Sequence, residues 1–197
     1  DLQYKITLLY NENIYANSAP GGFIYLTTGL LYFLDNEAEL AAVIGHEMGE
    51  LQYRNPELSR VRRTLDQMMQ GGAMIAPAFG QFGALALLGM ILVRNAAQNK
   101  DFTVEERLLK ADARALSYMA SAGYDPQGLV DILHKFLNAK DAVVPYFKDY
   151  YESRPITQER MFHLNRTFSE LPLGDRSFST EREKYLDMTK GVREIYR

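Results

Sequence analysis

The chain contains no cysteine. That excludes disulfides, thiolate metal sites and cysteine nucleophiles. It leaves the compartment open, because an oxidising compartment permits disulfides without requiring them. Positive charge is also short: 22 Lys and Arg stand against 25 Asp and Glu, for a net charge of −3. No basic field of the kind that draws nucleic acid is present. A phosphate-cradling glycine loop, a triad signature and a basic–aromatic RNA motif are likewise missing. There is no signal-peptide pattern, and the chain opens directly on the strand-like run Asp1–Tyr10, as a processed or trimmed fragment does. Histidine is scarce, with three in the whole chain: His46, His134 and His163.

What is present is a sizeable apolar fraction, 47% of 197 residues, enough for the core of a single domain spanning 1–197. Tyr4, Ile6 and Leu8 alternate with more polar neighbours, as in a half-buried strand. A turn at Asn17–Gly22 then leads into Phe23–Thr28, whose aromatic and β-branched residues predict a second strand. From there the pattern is helical. Asp35 or Asn36 can cap a helix over Glu37–Arg54, and Asn55-Pro56 opens another to about Met69. Further helices are expected over Phe102–Ala122, closed by Gly123, and from Asp125-Pro126 to about Lys140. Two more, Pro155–Phe168 and a solvated amphipathic Thr180–Ile195, complete an α+β chain that is mostly α.

The segment between Asp66 and Arg94 carries no charge. Its length could span a bilayer, but Pro77, Gln81 and five glycines argue instead for a helical hairpin or flap over about 71–97. Membrane contact by this segment is the competing expectation.

The chemistry lies in His46-Glu47-Met48-Gly49-Glu50. In H-E-x-x-H on a helix, two imidazoles one turn apart bind zinc, and the Glu acts as general base toward the metal-bound water. Here Glu47 is in the base position, but the fifth residue is Glu50. His134 and His163 have no ligand-like spacing and are expected to be structural or exposed.

Four ordered segments extend the motif into a family resemblance. They are Ser18–Leu31, the approach Asn36–Glu47, Ala111-Asp112-Ala113-Arg114-Ala115-Leu116 with Ala122–Pro126, and Arg154-Pro155-Ile156-Thr157-Gln158-Glu159-Arg160. Together they resemble the HtpX-like and CAAX-prenyl-protease-like zinc metallopeptidases, which are gluzincins. The resemblance implies a zincin-like domain with a small N-terminal sheet on a helical core, and zinc as cofactor. It also implies an extended polypeptide as substrate or partner, and a periplasmic or membrane-associated envelope setting. Glu47 would be the catalytic base, His46 and Glu50 would stand at metal-ligand positions, and Asp112 would support His46 from behind. Residues Gly21, Gly22, Phe23, Ile24 and Tyr25 would bind substrate along an edge strand.

The same resemblance shows departures. The family's third-ligand Glu is Leu108, its second His is Glu50, and the His before its C-terminal-side Pro is Arg154. Glu105, one turn before Leu108, could replace the lost carboxylate only from about 4.5 Å away along the helix axis. Glu50 could pair with Arg54 or with Arg154 across the cleft, filling the space that zinc takes in relatives. Two readings follow: an inactive peptidase-fold protein that binds polypeptide, or a metal-dependent endopeptidase with a His46, Glu50 and acidic-residue site.

Overall fold

A computed structural model describes residues 3–53, 102–139 and 153–196. These residues form a mostly helical fold with a small sheet at its N-terminal end. Strand β1 (Lys5–Leu9) runs parallel to β3 (Phe23–Thr27), and β2 (Ala16–Ala19) pairs with β3 antiparallel, giving the order β1-β3-β2. Two expectations are corrected here. The segment read as a turn from Asn17 contains β2, and the turn narrows to Pro20–Gly22, where Gly21 and Gly22 supply the positive φ values of 99° and 87°. Moreover, Phe23–Thr27 is the central strand, paired on both sides, and therefore not an edge.

Ile24 and Leu26 of β3 point into the core, while Thr27 turns the chain into helix α1 (Thr28–Phe33) by accepting from the Leu30 amide. Helix α2 (Glu37–Tyr53) starts at Asn36, whose Oδ1 accepts from Glu39 N at 2.9 Å. Glu39 reaches back to Asp35 N, closing a reciprocal cap. Lys135 of α4 (Gln127–Ala139) fixes the α1–α2 corner by donating to Phe33 O, Asp35 and Glu39.

Helix α3 (Val104–Ala122) packs along α2, and small residues allow a very close approach. A Cβ built on Gly49 would lie 2.8 Å from Ala111 Cα, and one on Gly45 would lie 3.1 Å from Ala115 Cα. The α3 helix ends at Gly123, φ +82°, with Tyr124 N donating to Met119 O. Helix α5 (Gln158–Ser169) is capped by Thr157 and buries Arg160, Met161 and Leu164. The last expected helix is two, α6 (Arg182–Met188) and α7 (Lys190–Ile195), meeting at Thr189. It is anchored rather than merely solvated: Tyr185 is buried, and its hydroxyl donates to Leu31 O at 2.7 Å.

The described residues belong almost wholly to one unit, drawn from Asp1–Tyr53 and Val104–Arg197. The expected 56–69 helix and 71–97 hairpin lie outside them. Among the described residues no helix is long and apolar enough to cross a membrane.

Candidate active site

Helical spacing puts His46, Glu47 and Glu50 on the buried side of α2, and the close α2–α3 approach brings Asp112 up to His46. His46 Nδ1 lies 2.8 Å from Asp112 Oδ1. Asp112 also accepts two hydrogen bonds from Arg160, Nε at 2.7 Å and Nη2 at 2.9 Å. Burial alone would push the Asp112 carboxyl up, but the Arg160 guanidinium and the His46 hydrogen bond outweigh it and hold it at about 2. Asp112 is therefore an anion at any ordinary pH. His46 meets it with Nδ1–H, leaving Nε2 to present a lone pair when the ring is neutral.

The second half of the site is organised by Arg154. Its Nη2 donates to Glu47 Oε1 and to Glu50 Oε2, each at 2.9 Å. Arg107 Nε donates to the other Glu50 oxygen at 3.1 Å. Arg160 supports this arrangement from behind, since its Nη1 donates to the backbone carbonyls of Arg154 and Pro155. Three carboxylates (Glu47, Glu50, Asp112) thus face three guanidiniums (Arg107, Arg154, Arg160), all buried except the partly exposed Arg107. Glu47 is 0% exposed, so it is not a solvated cleft residue. His46 Nε2 and Glu47 Oε2 are buried and have no hydrogen-bond partner among the described residues.

A structural or catalytic zinc site takes at least three protein ligands. The donor set here does not supply them. His46 Nε2 is one candidate, but both oxygens of Glu50 are on guanidiniums, and the residue that the resemblance sets at the third-ligand position is the aliphatic Leu108, 1% exposed. Glu105 accepts from Thr157 Oγ1 at 3.1 Å. Among the described residues no group of three His, Cys, Asp or Glu could hold a metal ion. The residues present do not fit the zinc that the resemblance implies.

The proposed substrate residues divide. Ile24 and Gly22 are buried, Ile24 with its side chain in the core, whereas Gly21 and Phe23 are exposed and Tyr25 is half-buried. The edge strand that packs on α2 is β2. Arg54, the other candidate partner of Glu50, lies outside the described residues. His134 is exposed, and His163 faces Glu159 on the surface of α5. Sequence reasoning assigned no role to Arg107 or Arg160. Arg160 ends the R-P-x-T-x-x-R segment, a signal that could have found it; Arg107 gave none.

Residues 1–167 match peptidase family M48. The Beta-barrel assembly-enhancing protease of Escherichia coli K12 is 27% identical over 142 residues, 68% of this chain and 28% of that protein. Its namesake in Yersinia pestis is 27% identical over 139 residues, 67% of this chain and 28% of that protein. The chain therefore spans under a third of the length of these relatives.

Proposed function

The chain belongs to peptidase family M48, and we propose that it is a metallopeptidase-fold protein that binds extended polypeptide without zinc-dependent hydrolysis. The observation that carries this reading is Arg154, which hydrogen-bonds the carboxylate in the general-base position and the carboxylate in the second-ligand position at once. A carboxylate oxygen held by a guanidinium is not free to meet a metal-bound water, and a ligand oxygen held by one is a poor metal donor. With Leu108 at the remaining position, the chemistry of a zinc-bound water has no site to form.

Polypeptide binding is the part of peptidase function that survives loss of the metal. The β2 edge, with the Gly21 and Gly22 turn and Phe23 at the start of β3 beside it and Tyr25 opposite Asn17, is where an extended chain would add to the sheet. The relatives are named for β-barrel assembly. That name supports a cell-envelope setting and an envelope polypeptide as partner.

The second reading, a metal-dependent endopeptidase with Glu47 as base, draws on His46 Nε2 and Glu47 Oε2, buried atoms without a hydrogen-bond partner among the described residues. One experiment separates them. A fluorescently labelled, unfolded polypeptide is offered to zinc-loaded protein, with anisotropy reporting binding and gel analysis reporting cleavage. Binding without cleavage is expected. Cleavage that Glu47→Gln abolishes would establish the second reading.

A further inference from the structure

Strand β1 forms one side of the sheet, and its apolar residues stand half in water. In the parallel register Ile6 lies beside Ile24 and Leu8 beside Leu26, on the same face. Ile24 and Leu26 are 0% and 4% exposed, whereas Ile6 and Leu8 are 50% and 49% exposed. The cover that buries β3 therefore stops short of β1. Leu9, on the other face, is exposed too, as is Tyr10 just beyond the strand. A strand with apolar residues exposed on both faces has the make-up of an inner strand without its neighbour.

The backbone restricts what that neighbour can be. Lys5 N donates to Gly22 O at 2.9 Å. In a parallel ladder alternate residues turn both backbone groups to one side, so Lys5, Thr7 and Leu9 face β3. Ile6 and Leu8 turn theirs outward, where the sheet of the described residues ends. An antiparallel strand added here must set its own outward residues opposite these two. A second copy of β1 does so with Thr7 on a two-fold axis. Ile6 then faces Leu8 of the second copy and exchanges both backbone hydrogen bonds with it. Thr7 faces Thr7, Lys5 faces Leu9, and the next pair outward is Tyr4 with Tyr10. Charge favours the same register, because Lys5 is the only charged residue from Gln3 to Asn11. Centring on Thr7 keeps the two Lys5 residues about 14 Å apart, beyond the screening length of physiological salt. Centring on Ile6 would bring them to about 7 Å, and in-register parallel pairing would set them side by side. Centring on Leu8 would leave Lys5 and Ile6 outside the paired strands.

We propose that β1 is the interface of a symmetric homodimer, in which two copies join into one continuous sheet ordered β2-β3-β1-β1-β3-β2. The two-fold axis passes through the sheet at Thr7, so the same face of both sheets looks the same way. Ile6 and Leu8 of the two copies then form one apolar stripe along that face. A contact confined to one short strand is small, so a weak dimer is expected, with Kd of about 10–100 µM. The inference is independent of the polypeptide-binding reading, which uses the opposite edge of the sheet, β2.

The test is sedimentation velocity on the full chain, from about 1 µM to about 500 µM in physiological salt. A reversible monomer–dimer equilibrium is expected. Leu8→Pro removes an outward N–H and spares the β1–β3 ladder, so it should weaken the dimer about tenfold or more without changing the circular-dichroism spectrum. The register is read by two charged variants. Ile6→Lys and Leu8→Glu each set like charges about 7 Å apart across the axis, so each alone should stay monomeric. Mixed, they set an ammonium opposite a carboxylate and should form a one-to-one heterodimer that added salt weakens. A native chain that stays monomeric throughout the range overturns the proposal. So does a dimer that Leu8→Pro leaves at full strength, or open-ended assembly beyond the dimer. Should Leu8→Pro lose the native spectrum, the charged variants decide: a heterodimer supports the interface, and its absence overturns it.

Discussion

Asp112 ties α2, α3 and α5 together, and its titration offers a measurable handle on the site. The carboxylate is buried, with hydrogen bonds to His46 and Arg160, and is held at about 2 against an ordinary 3.8. That difference corresponds to about 2–3 kcal/mol of linkage, at 1.36 kcal/mol per pKa unit. The sign follows from the direction. A carboxyl depressed in the folded state contributes fully above its unfolded value of 3.8, and the contribution is lost as pH falls toward about 2. Asp112→Asn removes the titration and leaves Arg160, 3% exposed, without its anion. The variant should lose about 3–5 kcal/mol near neutral pH. Urea unfolding of both proteins, from about pH 6 to about pH 2.5, should show the gap between them shrinking by about 1.5–2 kcal/mol at the acid end. A gap that stays constant with pH would refute the assignment of Asp112 as a buried, strongly paired anion. So would a variant within about 1 kcal/mol of the native protein at neutral pH.

Other perturbations probe the same architecture. Gly49→Ala would push a methyl group to 2.8 Å from Ala111 Cα, so the α2–α3 contact must open; a loss of about 2–3 kcal/mol is expected in urea unfolding. Gly123→Ala meets no atom within 4 Å and suffers only from its positive φ, so about 1 kcal/mol is expected in the same assay. The triple substitution Glu50→His, Leu108→Glu and Arg154→His replaces the blocking groups with nitrogen and oxygen donors. It should raise zinc content to near-stoichiometric by elemental analysis, together with a zinc-dependent rise in Tm.

Much of this was legible in the sequence because it is periodic or paired. The helical run around His46, the Gly123 stop and a cap at Asp35 or Asn36, which the structure gives to Asn36, all follow from spacing and local hydrogen-bonding chemistry. The His46–Asp112 contact followed from the resemblance, and the complementary charges of Glu50 and Arg154 suggested their pairing. What escaped has a common physical origin. Strand β2, Ala-Asn-Ser-Ala, has little β propensity and exists because β3 and α2 hold it. The central place of β3 is a matter of pairing, which alternation along one strand does not encode. Arg107 and Arg160 are long, polar side chains whose burial depends on partners distant in sequence, 57 and 48 residues away. The break at Thr189 falls within a continuous helical pattern, one turn after Tyr185, whose hydroxyl reaches α1.

The central claim is that guanidiniums, Arg154 on both carboxylates and Arg107 on Glu50, rather than zinc, neutralise Glu47 and Glu50. The most direct test is elemental analysis of native protein purified without chelator, incubated with excess zinc and passed through a desalting column. The account predicts a metal content far below one zinc per chain, with no change in Tm on chelation. Near-stoichiometric zinc that is lost on Glu50→Ala would contradict it.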